Sequence, residues 1–133
     1  MTVLNWAARK RHEPTVRLLL DCGAYINAAG GGGMTALSWA ARKVDESTVR
    51  LLLDRSANIN AMRGFYYMTA LHRAANNGHE STVQLLLDRG ADISAKDIEG
   101  MTAPSWAVEN GHKSTVRLLF NCAPKSMPRI PKE

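Results

Sequence analysis

Two short blocks recur four times along this chain at a nearly fixed period, and a period of that length decides the fold before any single residue is weighed. The first block reads Met1-Thr2-Val3-Leu4-Asn5-Trp6-Ala7-Ala8, then Met34-Thr35-Ala36-Leu37-Ser38-Trp39-Ala40-Ala41, Met68-Thr69-Ala70-Leu71-His72-Arg73-Ala74-Ala75 and Met101-Thr102-Ala103-Pro104-Ser105-Trp106-Ala107-Val108, at spacings of 33, 34 and 33 residues. The second block follows each of them: Thr15-Val16-Arg17-Leu18-Leu19-Leu20, Thr48-Val49-Arg50-Leu51-Leu52-Leu53, Thr82-Val83-Gln84-Leu85-Leu86-Leu87 and Thr115-Val116-Arg117-Leu118-Leu119-Phe120. A unit this short cannot bury an apolar face alone, so its copies must stack and share one continuous core.

Each first block predicts a short helix. Threonine stands at the N-cap, where its hydroxyl accepts an otherwise unbonded backbone N–H, and the alanine pairs let neighbouring helices approach closely. Each second block predicts a longer helix. There valine and the last two of three apolar residues fall at i, i+3 and i+4, a core stripe, with arginine or glutamine outward. Gly23 and Gly90 suit the left-handed residue that ends a helix, and Gly78 and Gly111 suit the same conformation between the helices of a pair.

The composition fits one compact unit, with 133 residues and 45% apolar content. The amino terminus has no secretory pattern and no apolar run is long enough to span a membrane. Two cysteines, Cys22 and Cys122, are too few for a disulfide scaffold, which favours the cytoplasm or nucleus.

The Thr69-Ala70-Leu71-His72 tetrad, Ala74-Ala75, Asn77-Gly78-His79, Val83, Leu85-Leu86-Leu87 and Gly90-Ala91-Asp92-Ile93 resemble the ankyrin repeat almost position for position. The resemblance covers residues 1 to about 123. It implies an all-α solenoid of four stacked helix-turn-helix units with β-turn fingers, divided at about 1–28, 29–61, 62–95 and 96–123. The fingers and the shorter helices would together line a concave groove that binds a protein. Residues 124–133, with Pro124, Pro128 and Pro131, are expected to form a basic disordered tail. Met1 aligns with the recurring methionines, so the finger that would precede the first helix pair is expected to be missing, and that pair is expected to expose Val3 or Trp6 and to self-associate or continue a longer array.

Departures from the family pattern carry their own expectations. Val44 and Arg11 stand where Gly78 stands in the third copy, and a β-branched residue forced to positive φ costs about 1–2 kcal/mol, so the turn at Val44 is expected to change shape. Ser56 replaces a helix-ending glycine, and Pro104 takes a core leucine position within a first helical turn, where proline is tolerated.

The net charge of +5 raises the question of nucleic acid. Arg17 has Glu13 and Asp21 four residues to either side, and Arg50 has Glu46 and Asp54, so these arginines read as surface ion-pair rows and nucleic-acid binding is disfavoured. Arg9, Lys10, Arg42 and Lys43, on the first helices, should face the groove and favour a protein partner with an acidic surface. His12, His79 and His112 occupy equivalent positions, and helices about 8–10 Å apart cannot bring such positions onto one ion. No catalytic constellation, metal site or cofactor site is read. Gly30-Gly31-Gly32-Gly33 lacks the lysine and hydroxyl of a phosphate loop and reads as a flexible finger.

The second finger is the sharpest candidate for partner binding, because Arg63, Phe65, Tyr66, Tyr67 and Met68 put arginine and three aromatics where other fingers are glycine-rich or polar. Arg73, Asn76 and Asn77 of the third copy join it on the groove side, as do Trp39 and Trp106, whose rings are expected to be part packing ladder and part ligand surface. The leading expectation is a non-enzymatic interaction module or scaffold. Its alternatives are an enzyme or small-molecule binder using the same groove and, more weakly, a non-specific nucleic-acid binder.

Overall fold

The computed structural model describes residues 2–62 and 67–121. Among them the chain forms eight α-helices in four pairs: α1 (Val3–Arg9) with α2 (Glu13–Asp21), α3 (Ala36–Arg42) with α4 (Glu46–Asp54), α5 (Ala70–Asn76) with α6 (Glu80–Asp88), and α7 (Ala103–Glu109) with α8 (Lys113–Asn121). Each first helix starts at its threonine. Thr2, Thr35, Thr69 and Thr102 are extended and accept the N–H of Asn5, Ser38, His72 and Ser105 at 3.1, 3.2, 3.2 and 3.4 Å.

The pairs stack in chain order. Ala7, Ala8, Ala40, Ala41, Ala74, Ala75 and Ala107 are wholly buried between neighbouring first helices, and those small side chains draw α1, α3, α5 and α7 together more tightly than α2, α4, α6 and α8. A stack that is closer on one side than on the other bends toward that side. The surface of first helices and fingers is therefore its inner face.

The core stripe on the second helices is broader than the predicted i, i+3, i+4 pattern. Leu51 and Leu85, the first of their leucine triplets, are only 5% and 6% exposed, while Leu53 and Leu87 are half-buried. A helix inside a stack is covered from both neighbours, which adds a second buried edge. Leu18, at the same position in the first pair, has no pair packed before it among the described residues and is 61% exposed; Val3 and Trp6 are exposed as well.

The outer charges also differ from expectation. Arg17 and Arg50 pair with Glu13 and Glu46 at 2.6 and 2.9 Å, as the spacing predicts. Asp21 and Asp54, however, reach across to Arg55 and Arg89 of the next repeat, both at 2.7 Å. These exposed pairs contribute about 0–1 kcal/mol each. They nonetheless tie neighbouring repeats, as do the Asn58 and Asp92 N–H groups that donate to Oδ1 of Asn27 and Asn60 at 2.8 Å.

The turn at Val44 does not change shape, against the expectation. Val44 sits at φ 60°, beside Arg11 at 62°, Gly78 at 69° and Gly111 at 72°. The closing hydrogen bond is the same in every pair: Asp45 N to Ala40 O at 3.1 Å matches His12 to Ala7, His79 to Ala74 and His112 to Ala107 at 2.9–3.0 Å. Stacking of both helices fixes where the turn must begin and end, so the side chain bears the strain. Val44→Gly is expected to stabilise the fold by about 1 kcal/mol, read as a higher denaturation midpoint; an unchanged or lower midpoint would show that Val44 carries no strain.

Candidate functional site

The inner face begins with two cation rows. Arg9 and Arg42 end α1 and α3, and Lys10 and Lys43 follow them at the C-caps; all four are exposed. The third and fourth repeats place Asn76, Asn77, Glu109 and Asn110 at the equivalent positions. The exposed cation pairs at these helix ends are thus limited to the first two repeats.

Beneath the cations lies Trp39. Its ring is 8% exposed, with the Arg9 guanidinium carbon 5.3 Å and that of Arg42 5.6 Å from its centroid. This geometry gives cation–π attraction of about 0.5–1 kcal/mol per cation, more where desolvated. The open ring surface expected of Trp39 needs correction: the ring is core, and the arginines over it are what a partner meets first. Trp6, at the same position in α1, is 47% exposed, with Lys10 Nζ 5.8 Å from its ring and His12 packed edge-on at 6.4 Å.

Met68 requires a similar correction. It is buried, as is its counterpart Met34. Tyr67 is exposed and takes φ 53°, at the position where Gly33 and Gly100 take 76° and 79°. Arg63, Phe65 and Tyr66 lie outside the described residues. Arg73 is half-buried in the Trp39-equivalent position of α5, and burial first, then the nearby Arg42 charge, lower its pKa from the usual guanidinium value.

Trp106 is half-buried and its polar edge is used internally, Nε1–H donating to Asp97 Oδ2 at 2.7 Å. Asn76 and Asn77 serve structure as well as surface. Asn76 accepts the Asn110 side-chain N–H, its carbonyl accepts His112 Nε2–H at 3.0 Å, and Asn77 Nδ2–H donates to the Arg73 carbonyl at 3.0 Å. His112 also fills the space over Gly78, where a Cβ would stand 2.7 Å from Nδ1, so Gly78 is required for its room as well as its φ.

This stack of helix pairs, joined by turned fingers beside the shorter helices, is matched by the family described as "Ankyrin repeats (3 copies)", over residues 1–63 and again over 62–128. The chain belongs to the ankyrin-repeat family. Among curated proteins, no match is found. Ankyrin repeats are generally protein-protein interaction modules and typically non-enzymatic. No helix among the described residues is long and apolar enough to cross a membrane, and no three His, Cys, Asp or Glu side chains among them are grouped to hold a metal.

Sequence reasoning passed over three residues that organise this ankyrin face. His72 donates from Nε2 to the Met101 carbonyl at 2.8 Å, and Asn5 donates in the same way to Met34 at 3.1 Å, each stitching a first helix to the next finger. Asp97 accepts the N–H groups of Glu99 and Met101 at 2.9 Å in addition to the Trp106 indole. Burial pushes the Asp97 pKa up, but these donors, with the Trp106 N–H foremost, outweigh it and the net direction is downward. Comparing the residues nine before Trp39 and Trp106, Gly30 and Asp97, would have found it.

Proposed function

We propose that this chain is a protein-interaction module that meets an acidic partner surface with the inner face of its first two repeats, with Tyr67 and the second finger at the edge of the contact. The observation that carries the reading is the one-sided charge: four cations at the ends of α1 and α3 give way to three asparagines and a glutamate at the ends of α5 and α7. An even or alternating pattern would suit a surface kept merely soluble. A block of one sign on a bent face steers a complementary partner into one orientation.

Lys10 and Lys43 are the cleaner test, since Arg9 and Arg42 cover buried Trp39 whereas Lys10 lies only over half-exposed Trp6. With a partner identified by proximity cross-linking, Lys10→Glu with Lys43→Glu is expected to slow association about tenfold at low salt and to flatten its salt dependence, with little change in dissociation. Unaltered association kinetics would remove the acidic-partner reading.

Tyr67 offers a second test because strain and binding oppose each other there. An aromatic residue held in the left-handed region costs about 1 kcal/mol or more, and such strain is tolerated where it serves a site. Tyr67→Gly is expected to raise stability by about 1 kcal/mol while weakening partner binding by about 1–3 kcal/mol. A variant that binds normally would place Tyr67 outside the contact.

A further inference from the structure

We propose that the junction between the first finger and α3 is an anchor site for a single carboxylate side chain, aspartate or glutamate, donated by the partner. The inference rests on the interaction-module reading and names the chemistry of one contact within it.

The chain contains its own template for this contact. In the fourth repeat the finger closes by Asp97 N to Met101 O and Gly100 N to Asp97 O, both at 3.0 Å, and the Asp97 carboxylate then accepts the Trp106 indole N–H at 2.7 Å. In the second repeat the finger closes the same way, Gly30 N to Met34 O at 2.9 Å and Gly33 N to Gly30 O at 2.8 Å. Trp39 follows Gly30 by nine residues, as Trp106 follows Asp97. Backbone and indole are thus repeated, but Gly30 brings no carboxylate. Trp39 is more than nine-tenths buried, and its Nε1–H has no acceptor among the described residues.

The flanking charges change in step. Around Trp106, whose carboxylate is internal, the residues equivalent to Arg9 and Arg42 are Asn76 and Glu109. Around Trp39 both are arginines, stacked on its ring, and neither is in an ion pair among the described residues. An indole donor without an acceptor, with two guanidinium groups over its ring, stands where the homologous indole meets a carboxylate, and charge-assisted bonds are the strong ones. The way in is the finger itself. Residues 30–33 are all glycine, and the first finger lacks the three additional hydrogen bonds that the Asp97 side chain gives the third.

The test uses the full chain, isotopically labelled so that the indole N–H signals of Trp6, Trp39 and Trp106 are resolved by NMR. Titration with a deca-glutamate peptide is expected to move the Trp39 signal to saturation and leave Trp106 in place, while deca-glutamine moves neither. Arg9→Gln and Arg42→Gln should each weaken the deca-glutamate effect about tenfold. Gly30→Asp alone would press its Cβ to within 2.4 Å of Asn5 Nδ2, so it is made with Asn5→Ser; once circular dichroism shows that this pair folds, its Trp39 signal should start shifted and no longer respond. A Trp39 signal that stays put, Trp39 and Trp106 moving alike, or a response to a phosphoserine peptide but not to deca-glutamate would each overturn the anchor. If Trp39 is silent while association with the cross-linked partner still depends on Lys10 and Lys43, the anchor falls and the interaction reading stands.

Discussion

Trp39→Ala is expected to cost about 3–5 kcal/mol of folding stability, whereas Trp6→Ala, at the same position one repeat earlier, is expected to cost about 1 kcal/mol or less. The two residues hold the same place in the repeat, each four residues after its N-cap threonine and before an alanine pair. They differ in what lies on them. Trp39 is 8% exposed, between Arg9 of the repeat before and Arg42 of its own helix, whereas Trp6 is 47% exposed with only its own repeat for cover. Truncating a large buried ring removes its transfer free energy and leaves a cavity that flanking alanines cannot collapse to fill. Denaturant midpoints for the two variants check this. Equal losses would mean that the arginine cover does not distinguish the two sites.

The comparison of these tryptophans shows which parts of the molecule could be read from sequence. The repeat, its helix pairs and its threonine caps were legible because each is local: an N-cap hydroxyl reaches the N–H three residues on wherever the helix starts. Helix-ending glycines were legible for the same reason. Inter-repeat relations were not. Asp21 has Arg17 four residues away yet bonds Arg55, and no one-helix pattern predicts which partner wins. Val44 was read by its intrinsic preference, but the helices on both sides fix the turn and hold it at φ 60°. In the candidate site the cation rows follow directly from helix phase, while the burial of Trp39 depends in part on Arg9 of the preceding repeat. The contrast between Gly30 and Asp97 needed the hydrogen bond to Trp106 to give it meaning, since a glycine in a finger reads by itself only as freedom of the backbone.

The second large effect is a stability that declines in mild acid through His72. This histidine is fully buried, accepts the Thr69 N–H at Nδ1 at 3.1 Å and is 2.8 Å from the Met101 carbonyl at Nε2, so the neutral ring carries its proton on Nε2. A second proton would go on Nδ1, displacing the bond from the Thr69 N–H, with the Thr69 hydroxyl 2.8 Å away. Burial lowers the His72 pKa below its ordinary 6.5, with the Met101 carbonyl and Asp97 opposing that shift and the Arg73 charge adding to it. Above pH 6.5 both folded and unfolded chains hold the ring neutral and stability is at its full value. As pH falls from there toward the lower folded pKa, the unfolded chain takes up a proton that the folded chain refuses. Stability then drops by up to about 1.4 kcal/mol per pH unit for one histidine, levelling off once the folded protein is protonated too. His79, lowered by burial first and then by His112 against the opposing Arg42 backbone, adds a slope of the same sign. His72→Asn keeps a donor for Met101, as Asn5 does for Met34, and removes the titration, so its stability should fall less between pH 7.5 and 5.5 than that of the parent chain. His72→Ala removes both bonds and the packing, and should cost about 2–4 kcal/mol at pH 7.5. Urea denaturation at the two pH values separates the effects, and a His72→Asn slope equal to that of the parent chain would show that His72 does not set the acid sensitivity.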